Sequence, residues 1–323
     1  MKRHIFTVSI LLVAAQLFGQ ESRFWVGGSG KWADENHWAT VSGGEPGATV
    51  PESGTSVVFD ENSFSGDKNT VTLGNEVSVG SLTASNATFV VSGKKDLIVK
   101  GSVSVDANVD FGKLRGALVF DGNGSYTISL PIELESDVVF NNGTWTLLDG
   151  LNTTGTITVN GGVLNSNNNK ISCKNFVTNS QNIVKVDFGT SEIDVTKRWE
   201  AVLNNSNSEI DASNASLTLI KGIDGNFRSV GNVKYNKFIG QGSNAGGKAP
   251  STYTVDEHTP SCKASDPKLT GDFVGKLTSD GYAVVRITHV DADFDVILYN
   301  HEEDGTYSPK KYGSYLSSTD LIT

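Results

Sequence analysis

Apolar and polar residues alternate along much of the chain with a period of two. "GTITVNGGVL" (155–164) and "VDFGTSEIDV" (186–195) are clear cases. That period puts successive side chains on opposite faces of an extended backbone, so these segments predict half-buried β-strands. β-Branched residues fill them, and helix signals are missing.

A longer period lies over the short one. Val79, Val99, Val119, Val139 and Val159 recur every 20 positions. The column before them reads Ser78, Ile98, Leu118, Val138 and Thr158, and turn residues follow in the same phase (Gly101-Ser102, Asp121-Gly122, Asn141-Asn142, Gly161-Gly162). Strand-like columns followed by turn-like columns are the mark of a solenoid. Rungs of about 20 residues without helix signals predict a parallel β-helix, in which each rung lays its inward side chains on those of the next. After Phe176 the spacing shortens, so the last rungs are expected to be distorted.

The fold class that follows is all-β: a β-helix with an N-terminal cap and a separate β domain at the C-terminal end. Residues 1–19 form a leader, with Lys2 and Arg3 ahead of the apolar run Ile5 to Ala15. That is the pattern of a secretory signal peptide, cleaved after Gly19. The run is shorter than the ~20 apolar residues of a membrane span, so no span is expected in the mature chain. Residues 20–65 hold a Trp/Gly-rich cap and first rung, and 66–239 the repeats. "GQGSNAGGKAPST" within 240–252 is a linker, and 253–323 the C-terminal β domain.

The stretch "FWVGGSGKWADENHW" (24–38) places Trp25, Trp32 and Trp38 close together. A solenoid's end is an open strand edge that invites aggregation, so these residues are expected to fold over the first rung. They are also the candidate glycan contacts, because exposed indoles stack on sugar rings.

Composition and charge narrow the function. The chain has 35 Gly, 7 Pro and only 2 Cys, which suits short strands joined by tight turns. A formal net charge of -10 without a basic cluster argues against nucleic acid and anionic lipid as partners. Cys173 and Cys262 lie far apart without metal-ligand spacing; Cys173 reads as a small buried apolar residue, although exported cysteines can pair.

No catalytic constellation emerges, and no metal or cofactor is called for. His37 stands beside Asp34 and Glu35, but one imidazole makes a poor transition-metal site, and a structural role is expected. Asp291, Asp293 and Asp295 share one strand face without the glycine turn of a calcium loop. Acidic residues of the rungs do not fall in one column, and Arg115 has no carboxylate cluster in its phase, so the pair needed for glycoside hydrolysis is not evident. Asn86, Asn123, Asn142, Asn152, Asn204 and Asn214 begin sequons, which an Asn- and Thr-rich composition generates by itself.

The segment Phe24 to Ser65, from "FWVGGSGKW" through "HW" to "VVFDENSF", resembles the N-terminal module of large secreted surface proteins of Bacteroidota. The resemblance implies a β-rich extracellular region in adhesin-like or gliding-motility-associated proteins exported by the type IX system. It brings no catalytic residues. The tail, with "DFVGKLTSDGYAVVRITHVDADFDVILYN", faintly resembles an immunoglobulin-like repeat and is expected to be incomplete at Thr323. The expected function is therefore a non-catalytic, adhesin-like stalk at the cell surface. Surface glycans or proteins of neighbouring or host cells would be its partners. A polysaccharide-binding protein, lyase or glycoside hydrolase on the same β-helix is the alternative.

Overall fold

The computed structural model describes residues 21–66, 69–220 and 227–240 (side chains to 236), and beyond these the backbone of five short strands between 251 and 322. The leader, most of the linker and the side chains of the C-terminal β domain lie outside the described residues. So do Cys262, Asp291, Asp293 and the side chain of Asp295.

The protein is all-β, about 1% helical, and winds as a parallel β-solenoid of about eight turns with rungs of about 21 residues. The strand pairings resolve into three ladders, here called faces. Face 1 stacks 22–24, 56–59, 82–84, 103–105, 126–129, 144–147, 162–165, 184–187, 209–212 and 233–235. Face 2 stacks 77–79, 97–99, 118–120, 138–140, 157–159, 176–178, 199–202 and 227–230.

Face 3 runs in two stretches. The first joins 30–31, 70–73, 89–93 and 109–114. The second joins 133–134, 151–153, 171–173, 192–195, 216–219 and 237–240. Pro131 sits at the break. It has no N–H to give a ladder, and beside it the Ile132 N–H turns back to the Leu130 carbonyl at 2.8 Å.

In each regular turn the chain visits face 3, then face 2, then face 1. Long strands such as Leu118–Ser129 and Glu192–Leu203 serve two faces, bending at the corner between them. Register shifts mark such bends, as between Phe120 and Ser125. Side chains alternate in and out along each face, and the inward ones form one continuous core. Its aromatic members stack at three levels: Trp25, Trp38, Phe59 and Phe89; Phe120, Phe140 and Trp145; Phe176, Phe188 and Trp199.

The evenly spaced column of valines is corrected in detail. Val79 pairs with Val99, but Val99 pairs with Phe120, Phe120 with Phe140, and Phe140 with Val159. The rungs are therefore slightly unequal, and the inward column drifts by one position and back. Val119 and Val139 sit one pleat off that column and point outward, because a slip of one residue exchanges the faces of a strand. The spacing also does not shorten after Phe176. It lengthens: Phe176 pairs with Trp199, and Trp199 with Phe227.

At the N-terminal end, Ser22–Trp25 lies parallel to 56–58 and antiparallel to Trp38–Ala39. The segment before Ser56 takes the place that face 2 has in later turns, with Ala48 and Val50 partly buried against the core and Pro51 buried. At the far end, Val233–Gly240 is covered by the antiparallel strand Ser251–Thr254. Beyond it, Phe294–His301 pairs antiparallel with Tyr307–Tyr315.

Candidate functional site

The tryptophan segment is built as a packed unit. Trp25 and Trp38 are 0% exposed and Trp32 is 4% exposed, so none offers a ring face to a sugar in this arrangement. The Trp25 and Trp38 rings meet edge to face at 4.9 Å, as do Trp32 and Trp38. Each buried indole N–H wants an acceptor. Trp25 Nε1 donates to the Gly28 carbonyl and Trp38 Nε1 to the Trp32 carbonyl, both at 2.8 Å. Trp32 Nε1 is buried without a partner.

His37 closes this unit. Its ring stacks on Trp25 at 4.7 Å with 5° between planes. Nδ1 lies 3.0 Å from the Val26 carbonyl and donates to it, while the Val26 N–H donates to the His37 carbonyl at 2.9 Å. That bond puts the proton of the neutral ring on Nδ1. Its Nε2 edge rests on Gly30, where a Cβ would strike the ring. Asp34 does not join it; its carboxylate accepts from the Asn36 backbone N–H at 3.0 Å, and that bond holds its pKa below the usual value. Among the described residues, no group of three His, Cys, Asp or Glu side chains comes together to hold a metal. None of their helices is long and apolar enough to cross a membrane.

Acidic residues missed by column counting do gather, on the later rungs. Lys170 Nζ lies 2.6 Å from Asp194 and 3.7 Å from Glu192, two outward residues of one strand. Lys234 repeats the arrangement with Glu209 at 2.7 Å and Asp211 at 3.8 Å. Glu200 is 6% exposed and held between Arg198 and Arg228. Arg115, for which no carboxylate cluster is expected, pairs with a single carboxylate, Glu135, one rung on at 2.7 Å. Sequence counting missed the lysine groups because rungs of unequal length carry their partners out of the 20-residue column.

Asp211 among them is not poised as a catalytic acid. A glycosidase's acid needs a raised pKa. Asp211 is lowered instead, chiefly by the Ser213 hydroxyl and backbone N–H, with Lys234 adding to it. Lys170 is raised, chiefly by its hydrogen bond to Asp194. Cys173 is a free thiol inside the core, and burial pushes its pKa up to about 12.

The corner between faces 2 and 1 carries a ladder of amide side chains. Asn142 donates to Asp121 at 2.7 Å and Asn160 to Asn141 at 3.0 Å. Ser180 and Asn182 donate to the Asn160 carbonyl at 2.5 and 3.2 Å. Asn204 then reaches Asn179 at 3.0 Å. Two of the sequon asparagines, Asn142 and Asn204, are thus rungs of this ladder.

No family model matches the chain, and no curated protein or solved structure matches it either.

Proposed function

We propose that the protein is a secreted, cell-surface stalk of adhesin-like type without catalysis, exported through its N-terminal leader. One observation carries this reading: polar side chains outside the core mostly bond from one rung to the next. Amide ladders, Lys–carboxylate pairs and Ser/Thr bonds tie each turn to its neighbour, as a rod under tension requires. An enzyme on the same scaffold would instead gather polar groups toward a cleft and keep a carboxyl protonated.

On this reading the tryptophan segment is the N-terminal cap. Its buried indoles and the antiparallel strand Trp38–Ala39 cover the first rung, and an edge so covered is blunted against aggregation. The C-terminal antiparallel pairs belong to an immunoglobulin-like unit carried beyond the rod. The resemblance of 24–65 to Bacteroidota surface proteins supports export by the type IX route.

The test has two arms. Antibody against the chain should label the surface of intact cells, and the purified chain should leave pectin, alginate and host glycans unchanged over long incubation. Label confined to the cytoplasm refutes the location. Turnover of any of these polymers favours the second reading, a polysaccharide-degrading enzyme, whose one supporting observation is the pair of Lys–dicarboxylate groups at Lys170 and Lys234.

A further inference from the structure

Three asparagines of the chain precede a glycine: Asn123, Asn142 and Asn160. Such a pair can rearrange without an enzyme, because the glycine has no side chain to keep its amide nitrogen from the asparagine side chain. All three pairs lie at the corner between faces 2 and 1, on successive rungs. The structure separates them. Asn142 gives its side-chain amide to Asp121 at 2.7 Å, and its carbonyl, in the peptide shared with Gly143, accepts from the Trp145 indole at 2.7 Å. Asn160 gives its amide to Asn141 at 3.0 Å, and its carbonyl accepts from Ser180 and Asn182. Both are thus pinned on each side of the ring that rearrangement would close.

Asn123 is held differently. It is exposed, and residues 122–124 fall between the two registers of their strand, Asp121 with Asn142 and Ser125 with Thr144. Among the described residues no side chain bonds to its peptide carbonyl. Its side-chain oxygen accepts from the Tyr126 hydroxyl at 3.3 Å. The Tyr126 ring is fixed in place, half-buried and tilted on Trp145 at 4.8 Å. It lies over two glycines: a Cβ at Gly122 would strike the ring, and one at Gly124 would crowd the hydroxyl.

We propose that Asn123–Gly124 is a self-modifying site at which the asparagine loses its amide. The Gly124 nitrogen adds to Cγ of Asn123, gives up its proton and expels Nδ2 as ammonia, which closes a succinimide ring. Water then opens the ring at either carbonyl. The product is aspartate or, with the main chain rerouted through Cγ, isoaspartate. One water is consumed, one ammonia is released, and nothing is oxidised or reduced. As the nitrogen adds, negative charge develops on Oδ1, and the Tyr126 hydroxyl is the donor aimed at that atom. Such a bond is long at rest and tightens as the charge grows. The product sets a new carboxylate two residues from Asp121, so this corner gains negative charge as the protein ages. The inference does not depend on the stalk reading.

Peptide mass spectrometry of the purified full chain tests it, after incubation in mildly alkaline buffer. The folded protein should convert Asn123 about ten times faster than Asn142 or Asn160, because orientation favours one pair and opposes the others. In urea neither the pinning bonds nor the Tyr126 hydroxyl is in place, so the three rates should converge. Tyr126→Phe keeps the ring and removes the hydroxyl. It should slow conversion at Asn123 several-fold in the folded chain and leave the rate in urea unchanged. Comparable rates at the three sites of the folded chain, a preference for Asn123 that persists in urea, or an unchanged folded rate in Tyr126→Phe overturns the proposal. If Tyr126→Phe lowers the melting temperature, the comparison of folded and urea-unfolded parent chain decides by itself.

Discussion

The rungs before Phe176 and those after it share a core but little else. Before it, successive rungs on face 2 keep nearly one length, and the outward register positions of face 1 are uncharged. After it, the steps from Phe176 to Trp199 and on to Phe227 grow, and the outward positions carry paired charges. Inside, Phe176 on Trp199 at 4.5 Å repeats what Phe120 on Phe140 does at 5.0 Å. The inward stack tolerates changes of volume poorly, whereas corners absorb extra residues and outward positions answer to solvent alone. Core and surface can therefore diverge independently along one ladder.

The largest expected effect tests whether the two ends are equally core-dependent. Trp38→Ala and Trp199→Ala each remove a side chain that is 0% exposed, and each should cost about 3–5 kcal/mol. Thermal melts of both variants should fall alike. A much smaller loss for Trp38→Ala would mean that the N-terminal unit folds apart from the rungs. Trp199→Ala also strips the Tyr235 hydroxyl of its indole donor, 2.9 Å away.

A middle-sized effect concerns how closely the regular rungs approach at their corners. Gly162 has φ +77°, and a Cβ there would strike the Gly143 carbonyl oxygen of the rung before. Gly162→Ala should cost roughly 1–3 kcal/mol, seen as an earlier urea midpoint. Gly28, with φ +81° and open space around it, should lose less on the same change. Equal losses would show that the backbone angle alone matters and that rung contact does not.

Smaller effects come from the charged rungs. Asp211 is lowered from 3.8, so its stabilising contribution is present above that value and disappears as pH falls through the folded pKa. Lys170 is raised from 10.5, so its contribution is full below that pH and disappears as pH rises through the folded pKa. Both groups are more than a third exposed, which limits Asp211→Asn and Lys170→Met to less than about 1 kcal/mol each at neutral pH. Melts across acid and alkaline series should converge with the parent at opposite ends. The smallest effect is kinetic: with a pKa of about 12 and full burial, Cys173 should resist alkylation at pH 8 until the rungs open.

The solenoid is legible in the sequence because alternation and rung length both leave marks in composition. Its register is not, because a one-residue change in rung length moves Val119 and Val139 out of the inward column without altering how the valines look in sequence. Burial of Trp25 and Trp38 agrees with the packing expected of them beside the first rung. The stacking of His37 on Trp25 depends on the turn at Gly27 and Gly28, which alternation does not reveal. Lys170 with Asp194, and Lys234 with Glu209, lie on different rungs and share no fixed phase.

The described rungs follow one another in chain order from residue 22 to residue 240, so the two ends of that stretch lie at opposite ends of the rod. Tension between them passes through every rung boundary, and the weakest yields first. Each rung occupies about 4.8 Å of rod when folded. Peeled off, its roughly 21 residues extend to about 70 Å. Such a stack yields in steps and lengthens more than tenfold before the chain is taut, so pulling dissipates work rung by rung.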